Sequence, residues 1–415
     1  MFHPDSHTLQ KFMNPIVKKY QQYRERQPFL SKTSEIFIEK IMEWMEDADK
    51  SFHKTTIKET EMDKLVKGVN YYHIPEYVKD HIERMKWTGK KLSFSIGTRI
   101  FHIHLLHPLD KLNETKIHQW FDEIKQRIYC WLHIASMQST KGCSKTLNIY
   151  IYFTDLKKKF TGTDILGKIN VNTAYTFACG LSDSGENEMY LYRKEEWFKV
   201  FIHESFHAFG LDFANMSRDI HFKIDRQVLQ IFPINIDLRL YETYTELWAE
   251  IINIIYIIHS SNIKNKMAKI VEFFKMEQLY SLFQAIKILK HNRISYSELY
   301  EMTESAKMKR IHHYKESTPI MAYYILKSIC IISIGAFIEW TALKNKGSLN
   351  FRKTESTLTS FIEFIEDRYN RIDYLKAVEF TEGYYSIMHK KKLIGGSSPI
   401  IDFLTNLRMS MFEIV

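Results

Sequence analysis

Glycine and proline are scarce, 14 and 8 in 415 residues. So little turn-forming punctuation argues against a fold of many short strands and favours helices. Cysteine is scarcer still. Cys130, Cys143, Cys179 and Cys330 lie far apart with no C-x-x-C pair. That spacing fits a reducing compartment and argues against a cysteine-built zinc site. No apolar run is long enough to span a bilayer. The most hydrophobic one, Ile329 to Ile338, is bracketed by Lys327 and Glu339 and reads as a buried helix. The N-terminus, Met1-Phe-His-Pro-Asp-Ser-His7, lacks the basic flank and apolar stretch of a secretory leader. These absences lead us to expect an intracellular, cytoplasmic protein with no membrane span. Long biased tracts are missing too, so the chain is globular, with room for a large core and for two or three domains.

The charge balance is basic, +9 at neutral pH, but the lysines and arginines are spread. The densest runs, Lys157-Lys158-Lys159 and Lys390-Lys391-Lys392, read as solvated loops. Without a basic stripe interleaved with aromatics, no nucleic-acid partner is predicted. Residues 1–90 carry apolar positions at helical spacing and read as a helical accessory region. Near residue 92 the period changes. Leu92 to Ile96 and Ile100 to Leu106 alternate as two strands around Gly97. A long amphipathic helix starts at Asn113, and 147–153, 169–177 and 188–193 are further strand candidates. From residue 259 to 415 the chain reads as helices, broken near 317–319, 344–347 and 395–399. The expectation is an α+β, mostly helical fold with a small mixed sheet packed on one helix. It would divide into 1–90, a central unit 91–258, and 259–415.

The stretch Phe201-Ile-His-Glu-Ser-Phe-His-Ala-Phe-Gly210 carries the chemistry. His203 and His207 at i and i+4 share one helix face and can grip a single zinc ion. Glu204, beside the first, is placed to take a proton from a zinc-bound water. Apolar flanks bury the helix, and Gly210 marks its end. His102 and His104, at i and i+2 on one strand face, are a weaker pair with no acidic partner near in sequence. Cys179 reads as a spectator thiol.

A catalytic zinc takes a third protein ligand and keeps one position for water. Phe213 cannot ligate, and Asp212 points away from the register. A second apolar helix, Tyr241-Glu-Thr-Tyr-Thr-Glu-Leu-Trp-Ala-Glu250, stacks Glu242, Glu246 and Glu250 on one face. Buried carboxylates need a cation. H-E-x-x-H followed by a separate helix with E-x-x-x-(D/E) resembles the gluzincin branch of zincin metallopeptidases. Glu246-Leu-Trp-Ala-Glu250 is similar to the E-F-F-A-E segment of the anthrax lethal factor-like peptidases. That resemblance covers roughly 92–258. It implies a zincin-like core with Glu246 as zinc ligand, Glu250 orienting a zinc-bound histidine, and Glu242 as the reserve ligand one turn earlier. It also implies that the strand Glu188 to Arg193, with Tyr190 and Tyr192, binds extended peptide at its edge. A tyrosine before the ligand helix would steady the oxyanion. Tyr241 ranks first, with Tyr244 and His221 as alternatives. The run Tyr192 to Glu204 also resembles uncharacterised metallopeptidases of large DNA viruses, which would place the protein in the host cytoplasm or the virion.

Two readings follow. One is a zinc-dependent endopeptidase with Zn²⁺ on His203, His207 and Glu246, Glu204 as general base and a protein or peptide substrate. The other is a catalytically idle zincin-like structural or interaction protein, for instance a virion component. Retention of Glu204 favours the first, because a purely structural zinc site requires no base.

Overall fold

Two long helices, α1 (Pro4–Gln22) and α2 (Lys32–Phe52), open the chain. Then come β1 (Lys58–Met62) and α3 (Glu76–Glu83). The alternating run after residue 86 forms a hairpin, β2 (Trp87–Ile96) and β3 (Arg99–Pro108), turning at Gly97 with φ +59°. Helix α4 (Glu114–Gln138) leads to β4 (Thr146–Tyr152), a one-turn α5 (Lys168–Val171), β5 (Ala174–Thr176) and β6 (Glu186–Leu191). The rest is helical: α6 (Trp197–Ala208), α7 (Arg218–Ile231), α8 (Leu240–His259), α9 (Lys266–His291) and α10 (Glu304–His313). After a π-helical turn at Met321–Leu326 come α11 (Lys327–Ile332), α12 (Ile334–Lys344), α13 (Glu355–Glu366), α14 (Ile372–Leu393) and α15 (Ser398–Thr405). This computed structural model describes residues 4–22, 29–109, 114–140, 142–163, 165–180, 185–393 and 398–413. The expected helix start at Asn113 and most of the break at 395–399 lie outside them.

The fold is α+β and mostly helical, with one mixed sheet in the order β1-β2-β3-β4-β6-β5. Strands β3, β4 and β6 run parallel, while β1, β2 and β5 pair antiparallel. Both faces are covered. Leu92, Ile103, Ile149, Met189 and Leu191 point into the main core shared with α6 and α8. Leu106, Tyr150, Tyr152, Tyr190 and Tyr192 point the other way, into a smaller cluster under α3. The period of two sets this division. The main core draws on residues from Leu9 to Phe412, across all three segments delimited from the sequence.

The sequence expectations differ from the structure in three places. The run 169–177 begins as helix, to Val171, before β5, because the Asn170 side chain accepts the Gly167 N–H at 3.0 Å and turns the chain. Strand β1 gave no alternating signal. Four of its five residues are exposed, as suits a charged outer strand. Ile329 to Ile338 is buried but not one helix, since the segments on either side of Ser333 meet at 92°. Among the described residues no single helix is long and apolar enough to cross a membrane.

Candidate metal centre

Helix α6 is buried along its whole length and packs against both β5–β6 and α8. A helix buried all round needs apolar residues on every face, which Trp197, Phe198, Val200, Phe201, Ile202 and Phe206 supply. It ends where Gly210 turns left-handed at φ +61° and the Leu211 N–H donates to the Phe206 carbonyl at 2.8 Å. Helix α8 is equally apolar, and its carboxylates meet α6.

His203 Nε2, His207 Nε2 and Glu242 Oε2 converge on one point. The two nitrogens are 3.2 Å apart, and the carboxylate oxygen lies 3.1 and 3.2 Å from them. The other ring nitrogens are engaged. His203 Nδ1 lies 2.9 Å from Glu246 Oε2, and His207 Nδ1 pairs with Asp212 Oδ2. A neutral ring that donates Nδ1–H to its carboxylate leaves Nε2 with the lone pair a metal ligand needs. Tetrahedral ligands about 2.0–2.1 Å from zinc would stand roughly 3.3 Å apart, close to these separations. The group His203, His207 and Glu242 can hold a metal ion.

The two outer carboxylates are themselves anchored. Glu246 Oε1 accepts from Lys199 Nζ at 2.5 Å, and Asp212 accepts from the Ala214 N–H at 3.1 Å and Thr245 Oγ1 at 3.3 Å. Such partners fix ring orientation and raise ligand basicity. Burial works against charge on the imidazoles, but Glu242, Glu246 and Asp212 prevail and raise both histidine pKa values. Burial likewise opposes the Glu242 carboxylate, yet His207 and His203 hold it well below its ordinary range. Burial, reinforced by Glu242 and Glu246, raises the Glu204 pKa against the pull of His203 and His207. A dication at the trio would act as a further positive charge on all of them.

The group that could hold a metal lies one turn from the expected register: it includes Glu242, the reserve, while Glu246 meets His203 Nδ1. Glu250 sits beyond the site, on Lys327 Nζ at 2.8 Å. The crossing of α8 over α6 brings its first turn, not its second, beside the Nε2 atoms. Asp212 does not point away; it holds His207. Tyr190 and Tyr192, expected at a peptide-binding edge, are buried. They are 0 % and 2 % exposed on the sheet face opposite α6, and β6 is interior, between β4 and β5. The free edge beside α6 belongs to β5. Cys179 is no spectator thiol, because it forms a disulfide with Cys143; Cys130 and Cys330 are free and buried. Lys158 is fully buried rather than solvated, paired with Glu196 at 2.8 Å.

Among the other candidates, the Tyr241 ring lies 5.8 Å from His207. Tyr244 is structural, its hydroxyl donating to the Leu349 carbonyl at 2.9 Å. His221 contacts the Ala214 carbonyl at 3.2 Å and stands outside the trio. His102 meets Ser93, and His104 stacks on Tyr150 away from α6. Tyr323 was not foreseen. Its ring lies 6.0 Å from His203, and it lines a small cavity of about 30 Å³ with His203 and Glu204. No spacing pattern links it to the motif 120 residues earlier. No family model matches the chain, and no curated protein or solved structure matches it either.

Proposed function

We propose that the protein is a zinc-dependent hydrolase of peptide bonds. The observation that carries this reading is the convergence of His203 Nε2, His207 Nε2 and Glu242 Oε2 at tetrahedral spacing, with Glu204 on the wall of the adjoining cavity. A structural zinc site closes its fourth position with a protein ligand. Here only three ligand atoms from the described residues meet.

A zinc ion held there would supply a Lewis acid and bring the pKa of a bound water toward neutrality. Glu204 takes the proton from the attacking water and returns it to the leaving amine. Tyr323 and Tyr241, flanking the trio, are the donors available to the oxyanion. β5 is the outermost strand on this side of the sheet, so main-chain pairing along it would align the scissile bond of an extended substrate.

Metal analysis of the purified protein tests the first half. One zinc per chain is expected, lost in His203→Ala/His207→Ala and in Glu242→Ala, and retained in Glu204→Gln. A peptide library tests the second, with cleavage by wild type and none by Glu204→Gln. Zinc without any cleavage would replace this reading with the catalytically idle one.

A further inference from the structure

The cavity beside the trio has a wall from an unexpected source. After α15 the described chain stays buried. Leu407 to Glu413 run buried through the molecule, none more than 5 % exposed. This strap pairs with no strand of the sheet. Side chains from separate elements hold its backbone instead. Tyr324 donates to the Leu407 carbonyl at 2.6 Å, and Lys327 to the Met409 carbonyl at 2.7 Å. Glu196 accepts the N–H groups of Met409 and Ser410 at 3.0 and 2.6 Å, and Glu277 accepts that of Met411 at 2.9 Å. The backbone is therefore pinned on both sides of Met409.

The Met409 side chain lines the small, partly charged cavity that His203, Glu204, Lys158, Lys199, Glu246 and Tyr323 also border. Its sulfur lies 3.8 Å from Lys199 Nζ, so the thioether covers the buried ammonium. A group bound at the trio and pointing into this cavity would meet Met409 on a backbone that cannot shift. From this geometry we infer that Met409 sets the size of the side chain accepted next to the metal, and that the wild-type cavity takes only a small one. The inference rests on the metal-centre reading above, but not on peptide hydrolysis.

The test uses full-length zinc-loaded protein and hydroxamates carrying a methyl, isobutyl or naphthylmethyl group, with affinity read by calorimetry. Wild type should bind the isobutyl compound more tightly than the naphthylmethyl one. Met409→Ala should shift that ratio toward naphthylmethyl by roughly tenfold or more. Met411→Ala, on the same strap but outside the cavity lining, should keep the wild-type ratio. If Met409→Ala fails to fold, Met409→Phe supplies the opposite arm: isobutyl affinity drops and methyl affinity stays. An unchanged ratio in the Met409 variants overturns the inference. No binding of any hydroxamate by wild type overturns the metal-centre reading and this inference with it. Graded binding without peptide cleavage sinks the peptidase reading alone and leaves Met409 in its role.

Discussion

The two ends of α6 are held by different chemistry. At its N-terminal end Glu196, in left-handed conformation at φ +57°, places a buried carboxylate against Lys158 and the strap backbone. One turn on, Lys199 pairs with Glu246. At the C-terminal end the contacts are mostly neutral. The Cys179 N–H donates to the His207 carbonyl at 2.9 Å, Ser144 Oγ to that of Ala208 at 2.7 Å, and Ser139 Oγ to that of Phe209 at 2.7 Å. Lys353 Nζ caps the Gly210 carbonyl at 2.7 Å, and the Cys143–Cys179 disulfide packs over Gly210. A helix that carries two metal ligands four residues apart needs both ends fixed. This one is fixed by charge at one end and by a covalent clamp with hydrogen bonds at the other.

The largest break comes from the charged end. Lys158→Met removes the cation that touches the buried Glu196 carboxylate and leaves only the more distant Lys199 and Arg408, so we expect a loss of about 3–5 kcal/mol in denaturant unfolding. A loss below about 1 kcal/mol, the scale of an exposed pair, would mean that water reaches this end. The clamped end follows. The disulfide closes 36 residues. Reduction, or Cys143→Ala with Cys179→Ala, is expected to cost roughly 3–4 kcal/mol by loop closure. It also frees the residue whose N–H caps His207, so zinc should leave faster during chelator challenge. Equal zinc loss in oxidised and reduced protein would confine the clamp to global stability.

Acid separates the ends. Burial raises the Glu196 pKa, but Lys158, Lys199 and Arg408 together outweigh it and the net value falls from 4.5 to about 2. A depressed carboxylate contributes stability that is complete above the unfolded pKa and lost as pH falls through the folded one. The charged end should therefore weaken between pH 4.5 and about 2, by roughly 3 kcal/mol at most. Glu196→Gln should flatten that limb, whereas reduction of the disulfide should lower the whole curve without changing its slope there. Parallel acid limbs for wild type and Glu196→Gln would remove Glu196 as the source.

What the sequence discloses follows the same division. The paired histidines, Glu204 and the stop at Gly210 are local, within three turns of one helix, and the text shows them directly. Scarce Gly and Pro and the change of period near residue 92 likewise disclose a mostly helical α+β fold. The choice between Glu242 and Glu246 is different. It depends on where α8 crosses α6, through contacts 35 and 39 residues apart, and spacing alone cannot rank two glutamates one turn apart. The strap lies further out of reach. Glu196 meets Met409 across 213 residues, and neither position carries a motif. Alternation put Tyr190 and Tyr192 on one face, but not under α3, and it did not say that β6 is interior. The disulfide joins two cysteines whose proximity depends on the sheet order.

The smallest effect sharpens the comparison most, because it acts where backbone and clamp touch. Gly210→Ala forces an L-residue into the left-handed region, at about 1–2 kcal/mol. Its new Cβ would stand 3.0 Å from Cys179 Cβ and 3.2 Å from Cys143 Sγ. Reduction lets the two sulfurs move apart, which relieves the crowding but not the backbone strain. The substitution should therefore cost more in the oxidised protein than in the reduced one, and a double cycle of variant and redox state isolates the difference. Equal costs in both states would show that the disulfide yields to the methyl group, and that the C-terminal end of α6 is held by its hydrogen bonds rather than by the clamp.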